Sequence, residues 1–444
     1  MFIKNSVVAL LFIVIAFLCS CSTVKKLPNP APVAIAAVIE EPAPIDSTQT
    51  DAFLENILKQ YPQYFDSILA HKNDWNVQFI YTKIDRGANG LAALKDYHFN
   101  LNAEKYFYPA STVKLPVCIL ALQKLNELKL NGLDKNTTMI TEQDYSGQST
   151  VYNDPSTPTG KPSIAQYIKK ILMVSDNDAF NRLYEFLGPQ YINEQLHKLG
   201  YSDVEILHRL SISLSPDENR HTNPVKFLDN NNQVILDQPG QFNTTQYLIR
   251  ADSLGKAFYK GAELIDEPMD FSGKNRISLE DLHNILVSLF FPYKMPATQR
   301  FNINEADRDF LFKYMSQLPT ESVYPPYAAD TASYWPAYCK FLLFGSEKGD
   351  LPKNIRVFNK VGDAYGQLTD VAYIVDYDKK IEFFLSATIY CNNDGVLNDD
   401  KYDYDLVGLP FMKHLGEALY EYELKRKKNI QPNLSSLIFS YDKN

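Results

Sequence analysis

The sequence predicts a mixed α/β fold, and three observations carry that expectation. Alternating apolar and polar residues at 77–81 and 97–102 flank a glycine-containing turn at 86–90, the pattern of a β-hairpin. Runs rich in β-branched and aromatic residues at 369–375 and 381–389 follow a glycine-bearing segment at 359–366 and read as consecutive antiparallel strands. Around them lie apolar residues at helical spacing, at 51–71, 117–130, 164–173, 180–187 and 405–425.

The chain has 444 residues, of which 45% are hydrophobic, so it can build a sizeable core. Its formal net charge of −9 leaves no basic surplus to meet phosphates, and no nucleic-acid partner is expected. The one dense basic run, Lys425-Arg426-Lys427-Lys428, reads as a charge cluster at a helix end. Histidines are scattered, with no His-x-x-x-His and no Cys-x-x-Cys, so neither a metal nor another cofactor is expected.

Residues 1–21 have the form of an export signal. Lys4 precedes an apolar run of 12 residues at 7–18, too short to span a bilayer comfortably, which ends in Leu18-Cys19-Ser20-Cys21. That ending resembles the bacterial lipoprotein signal, which implies lipidation at Cys21. Residues 22–50 are dominated by Ala, Pro, Val and Ile and read as an extended spacer. The expected organisation is a signal at 1–21, a tether at 22–50 and a globular domain over 51–428 with an insertion at about 225–300. Such a protein would sit on a bacterial cell-envelope membrane through its lipid, facing the periplasm or the exterior. Cys118, Cys339 and Cys391 remain in the body, and the sequence leaves open which of them would pair.

Chemistry concentrates first at Tyr108-Pro109-Ala110-Ser111-Thr112-Val113-Lys114-Leu115-Pro116. If the following run is helical, Ser111 and Lys114 share one face, one turn apart, and the amine can take the hydroxyl proton. The helix start also favours negative charge developing at Ser111. Pro116 breaks the local rule, because a proline inside a helix costs about 3 kcal/mol. Taken alone, the motif reads more simply as an N-cap serine beside a solvated lysine.

The second candidate is Ser175-Asp176-Asn177, at a joint between two helical runs. Its hydroxyl can shuttle a proton and its amide can hydrogen-bond a substrate amide, although Ser175 and Asp176 also suit helix capping. The third is Lys360-Val361-Gly362, where glycine leaves an edge strand open beside a ligand and lysine supplies charge for a substrate carboxylate.

Taken in order, Ser111-x-x-Lys114, Ser175-Asp176-Asn177 and Lys360-x-Gly362 resemble the three motifs of penicillin-recognising serine enzymes, most closely the class A β-lactamase group. Asn181, and the stretch from Gly188-Pro189 to Leu199-Gly200, are similar to the helices after the second motif. The resemblance implies an antiparallel sheet flanked by helices, with an all-helical subdomain between strands. It implies Ser111 as acylated nucleophile, Lys114 as base, Ser175 as proton donor to the leaving nitrogen, and Asn177, Lys360 and Gly362 as substrate-binding residues. The substrate would be a β-lactam or related carboxylate-bearing amide, small or derived from peptidoglycan. Peptidoglycan D,D-carboxypeptidase or amidase chemistry, and a non-catalytic binder, are the alternatives.

Two departures qualify the resemblance. Val361 stands where the pattern has a hydroxyl residue, which removes a contact worth about 1–2 kcal/mol. The loop expected to supply a water-activating glutamate, 208–215, contains no carboxylate, and Glu218 would substitute only if the loop were rebuilt. Slow turnover of the acyl-enzyme is the expectation.

Overall fold

The structure is a computed structural model that describes residues 48–248 and 250–442. The signal, most of the tether and the lipidation expected at Cys21 lie outside the described residues.

The first helical stretch divides into α1 (Ala52–Leu58) and α2 (Pro62–Ala70). Pro62 separates them: it takes the first position of α2, where its missing N–H has no intrahelical acceptor. Strands β1 (Gln78–Arg86) and β2 (Ala92–Phe99) make the expected hairpin, running closer to its turn than the alternation suggested. A 3-10 turn over Ala110–Val113 leads into α3 (Lys114–Leu128). Pro116 therefore lies in the first turn of α3, where it removes no intrahelical bond, and its oddity disappears.

Next come β3 (Thr138–Thr141), α4 (Ile164–Val174), α5 (Asn177–Leu187), α6 (Pro189–Lys198), α7 (Pro216–Arg220), β4 (Val225–Leu228) and β5 (Val234–Gln238). These three strands pair into a small sheet, so the subdomain expected to be all helix is not. Alternation on β4 explains it, since Val225 and Phe227 are buried while Lys226 and Leu228 are less so. Four short strands follow: β6 (Ser253–Leu254), β7 (Ala257–Lys260), β8 (Glu263–Ile265) and β9 (Met269–Asp270). Helix α8 (Leu279–Phe290) is capped by Ser278, whose hydroxyl accepts the Asp281 N–H at 3.0 Å. Part of the presumed insertion is thus core, because α8 packs on β1, β11 (Gln367–Asp376) and β12 (Ile381–Tyr390). The remaining elements are α9 (Glu305–Ser316), the short α10 (Phe341–Phe344), β10 (Ile355–Ala364), β13 (Val396–Leu397) and α11 (Leu409–Lys425).

The main sheet is antiparallel, in the order β10-β11-β12-β1-β2, with helices on both faces. Its inner strands are buried on both sides, which is why 369–375 and 381–389 read as nearly continuous apolar runs. Successive residues serve two cores: Phe383, Leu385, Ala387 and Ile389 pack with α1, α2 and α11, and Phe384 packs with α8. Strand β10 forms one free edge. The chain continues past the expected boundary at 428, burying Leu434, Leu437 and Tyr441 against the body. Cys118, Cys339 and Cys391 are buried free thiols.

Candidate active site

Ser111, on the 3-10 turn, and Asn177, at the start of α5, line a cavity of about 440 Å³ beside the end of β10. Beneath it, Lys114 Nζ donates to Ser175 O at 2.5 Å, Asn177 Oδ1 at 2.6 Å and Ser175 Oγ at 3.3 Å. Lys360 Nζ donates to Ser175 Oγ at 2.8 Å and to Val361 O at 2.7 Å. The structure therefore brings together Ser111, Lys114, Ser175, Asn177, Lys360 and Gly362 from three distant stretches of chain.

Local sequence explains each placement. Ser175 ends α4 in the left-handed region, φ 60°, so its carbonyl and hydroxyl both turn to Lys114. Asp176 caps α5, accepting the Ala179 N–H at 2.8 Å. The capping role thus belongs to Asp176, while Ser175 reaches the site. Ala110, immediately before the nucleophile, holds φ 46°, a conformation costly for a residue with a Cβ. Gly362 has a closer reason than an open pocket. A Cβ there would lie 2.6 Å from Pro109 O and 2.9 Å from Thr112 N, so glycine is what lets the nucleophile's turn seat on β10.

The strand also supplies backbone donors. Tyr365-Gly366 closes the β10–β11 hairpin with φ of 53° and 78°, so Ala364 and Gln367 form the hydrogen-bonded closing pair. One residue back from Ala364, Asp363, and two further, Val361, fall in the opposite phase and turn their backbone groups off the free edge. The Val361 carbonyl does so visibly, meeting Lys360 Nζ. The Asp363 N–H shares that phase.

Electrostatics favour an unprotonated amine. Lys114 is fully buried, and burial pushes its pKa far below the usual lysine range, with the Lys360 ammonium pushing the same way. Burial also lowers Lys360. Lys114 Nζ meets Ser175 O, Asn177 Oδ1 and, at longer range, Ser175 Oγ, while the Ser111 hydroxyl one turn away has no hydrogen-bond partner among the described residues.

The loop at 208–215 is pinned rather than loose. Arg209 pairs with Glu185 of α5 at 2.9 Å, and Glu185 also pairs with Arg182 at 3.0 Å, all three buried. Asn181 clasps Leu210 through both its amide groups, at 2.9 and 3.0 Å. Ser211 consequently sits over the site, its hydroxyl accepting from Asn177 Nδ2 at 2.7 Å. Glu218 is held elsewhere, bound by the Ser215 N–H and hydroxyl at 2.8 Å and the Ser146 hydroxyl at 2.9 Å. Behind β10, Asn359 bridges Lys340 at 2.7 Å and Asp370 at 2.8 Å, fixing the strand one residue before Lys360. Among the described residues no group of three or more His, Cys, Asp or Glu is placed to hold a metal ion.

The sequence pattern of the beta-lactamase enzyme family matches residues 63–422. The chain belongs to that family. Similar solved structures include a β-lactamase from Xanthomonas campestris pv. campestris, 13% identical with a TM-score of 0.44, over 83% of this chain and 97% of that one. A class A β-lactamase from Clostridium kluyveri is 16% identical with a TM-score of 0.43, over 81% of this chain and 99% of that one. PBP-A is 14% identical with a TM-score of 0.45, over 84% of this chain and 97% of that one. No curated protein matches the chain.

In this beta-lactamase family member the groove also holds residues that sequence reasoning passed over: Asp363, Tyr108 and Tyr365, with Asn398, Asp400, Tyr402 and Tyr404 from the segment after β13. The first three lie inside or beside the motifs and were open to inspection there. Nothing in the spacing of 398–404 ties that segment to Ser111.

Proposed function

We propose that this chain is a serine hydrolase of the class A β-lactamase type, acylated at Ser111 by a β-lactam or related amide and released slowly. One observation carries the reading: a buried lysine, its N–H groups committed to Ser175 and Asn177, lies one turn from a serine hydroxyl that opens on a groove. In acylation the Ser111 proton passes to Lys114 Nζ while Oγ bonds to the substrate carbonyl carbon. The oxyanion is met by the Ser111 and Asp363 N–H groups. Ser175, hydrogen-bonded to both lysines, hands a proton to the leaving nitrogen as the C–N bond breaks, and Lys114 replaces it. Deacylation needs a base for water, and the pinned loop at 208–215 provides no carboxylate. The leader supports placing the enzyme on a bacterial envelope membrane, lipid-anchored through Cys21.

A fluorescent penicillin, followed by gel labelling and by lactam absorbance, tests the reading. A label that outlasts minutes and vanishes in Ser111→Ala is the expected outcome. Rapid hydrolysis would overturn the slow release, and a wild-type protein that takes no label would support the non-catalytic binder instead.

A further inference from the structure

The loop at 208–215 has a cavity on each side. Leu210 and Ser211 line the active-site groove, whereas His208, Ile212, Ser213 and Leu214 line a second cavity of about 500 Å³. The two spaces also meet across a ring pair: His208 lies parallel to Tyr108 of the groove, with centroids 6.3 Å apart. The opposite wall comes from residues 243–248 and 270–274, inside the stretch that the sequence presents as an insertion. A cavity of this size falls in the range of small-molecule sites, roughly 300–1,000 Å³.

Its lining leaves hydrogen-bond donors without acceptors. Lys274 is half-buried, and its ammonium has no hydrogen-bond or ion-pair partner among the described residues. Arg220 directs Nη1 to Asn243 O at 2.7 Å and Thr245 O at 2.9 Å, and pairs with no carboxylate among the described residues. Tyr247 Oη accepts from Asn243 Nδ2 at 2.7 Å and Asn193 Nδ2 at 3.3 Å, which leaves its own hydrogen over. The acceptors, by contrast, are engaged. Asp270 takes the Ser272 N–H at 2.8 Å, Asn219 Oδ1 the Arg209 N–H at 3.0 Å, and Asn243 Oδ1 the Thr245 N–H at 3.0 Å. A ligand that supplies acceptors, above all an anion, completes such a lining. Burial holds Lys274 below the usual lysine range, and an anion in contact would restore its charge.

The rest of the wall is apolar. Leu207, Ile212, Leu214 and Leu248 contribute to it, and Ile212 and Leu248 are 42% and 67% exposed. A bound apolar tail would take that surface out of water.

We propose that this cavity is a second ligand site, separate from the acylated groove, for a small molecule with a carboxylate head on an apolar tail. Binding there does not require acylation at Ser111, so it can fail or succeed independently of the hydrolase reading.

A dansyl-labelled undecanoate, which brightens in apolar surroundings, tests it by displacement with decanoate, decanol and decylamine. Decanoate should displace the probe from wild type at a concentration about fivefold or more below that of decanol, the scale of a partly screened charge contact, with decylamine weakest. Lys274→Gln should cut the advantage of decanoate and leave decanol unchanged. Ile212→Ser combined with Leu248→Ser should weaken decanoate and decanol alike by about tenfold. Both positions are exposed, so that variant should fold. Tyr402→Ser, which alters the groove and not the cavity, should leave binding as it is. A probe that does not bind, equal displacement by the three head groups, or a carboxylate preference untouched by Lys274→Gln overturns the proposal. So does binding that falls in Tyr402→Ser and survives the double serine variant, which would place the probe in the groove.

Discussion

Lys114 and Lys360 share one hydroxyl, and the sharing decides which of them works as a base. Two ammoniums around Ser175 Oγ would repel each other inside a buried site, and burial together with the Lys360 charge pushes Lys114 far below the usual lysine range. Lys360 therefore acts on Lys114 by keeping its pKa down. Replacing Lys360 with Met removes that push, so Lys114 stays protonated to higher pH. The acid limb of the acylation rate should move to higher pH in Lys360→Met, as a pH profile of the burst would read. A limb that stays put or moves to lower pH would show that Lys114 is not the group titrating. The order of the three motifs made this cluster legible in sequence. The direction of the Lys360 donors was not legible, because it depends on Ser175 adopting φ 60° at the end of α4.

At the scale of elements, the nucleophile's turn and β10 meet with no room between them. Gly362→Ala should cost about 1–3 kcal/mol and slow acylation, since a Cβ would press on Pro109 O and Thr112 N and neither can give way like a flexible side chain. Gly273→Ala is the matched control, as a Cβ there meets nothing within 4 Å. Equal melting temperatures for the two variants would contradict the close seating. In the same core as α3, α8 carries His283, buried between Thr82 Oγ1 at 2.7 Å and Ser386 Oγ at 2.8 Å. Thr82 donates onward to Asp96 at 2.6 Å, so its oxygen accepts from His283 and Nε2 bears the hydrogen. Burial lowers its pKa to about 4, against the partial pull of Asp96. An unfolded histidine takes its proton near pH 6.5, so the wild type loses up to about 3 kcal/mol from this residue as pH falls from there towards 4. Glutamine does not titrate, and the raised carboxyls of Asp281 and Asp370 are common to both proteins. The gap in melting temperature between wild type and His283→Gln should therefore narrow from pH 7 to pH 5. A constant gap would contradict a neutral, buried imidazole. Helix α8 was legible from its Ser278 cap and apolar period, but its place in the core was not, because the polar stretches before it look like an insertion.

At the largest scale, both ends of the described residues are tied into the body. Gln49 exchanges backbone hydrogen bonds with Leu101 at 2.8 and 3.0 Å, drawing the last residues of the presumed tether into the body. At the other end Tyr441 meets Ser316 Oγ at 2.9 Å and packs under Arg356, and Leu437 O accepts from Tyr377 at 2.7 Å. Truncation after residue 428 should cost about 3 kcal/mol or more in lost apolar burial and lower the melting temperature by roughly 5 °C or more. A truncated protein melting with the full chain would show that this tail is dispensable. The tail escaped sequence reasoning because its anchors, Leu434, Leu437 and Tyr441, are too few and too unevenly spaced to read as an element. Strand pairing was legible because strands buried on both faces leave long apolar runs. The joining of the first hairpin to the last three strands is a long-range pairing with no local signature. The most direct test of the central claim is peptide-level mass analysis after incubation with benzylpenicillin. A persistent adduct on the tryptic peptide 106–114, which holds Ser111, is the predicted result; an adduct confined to another peptide, or none at any concentration, would contradict the account.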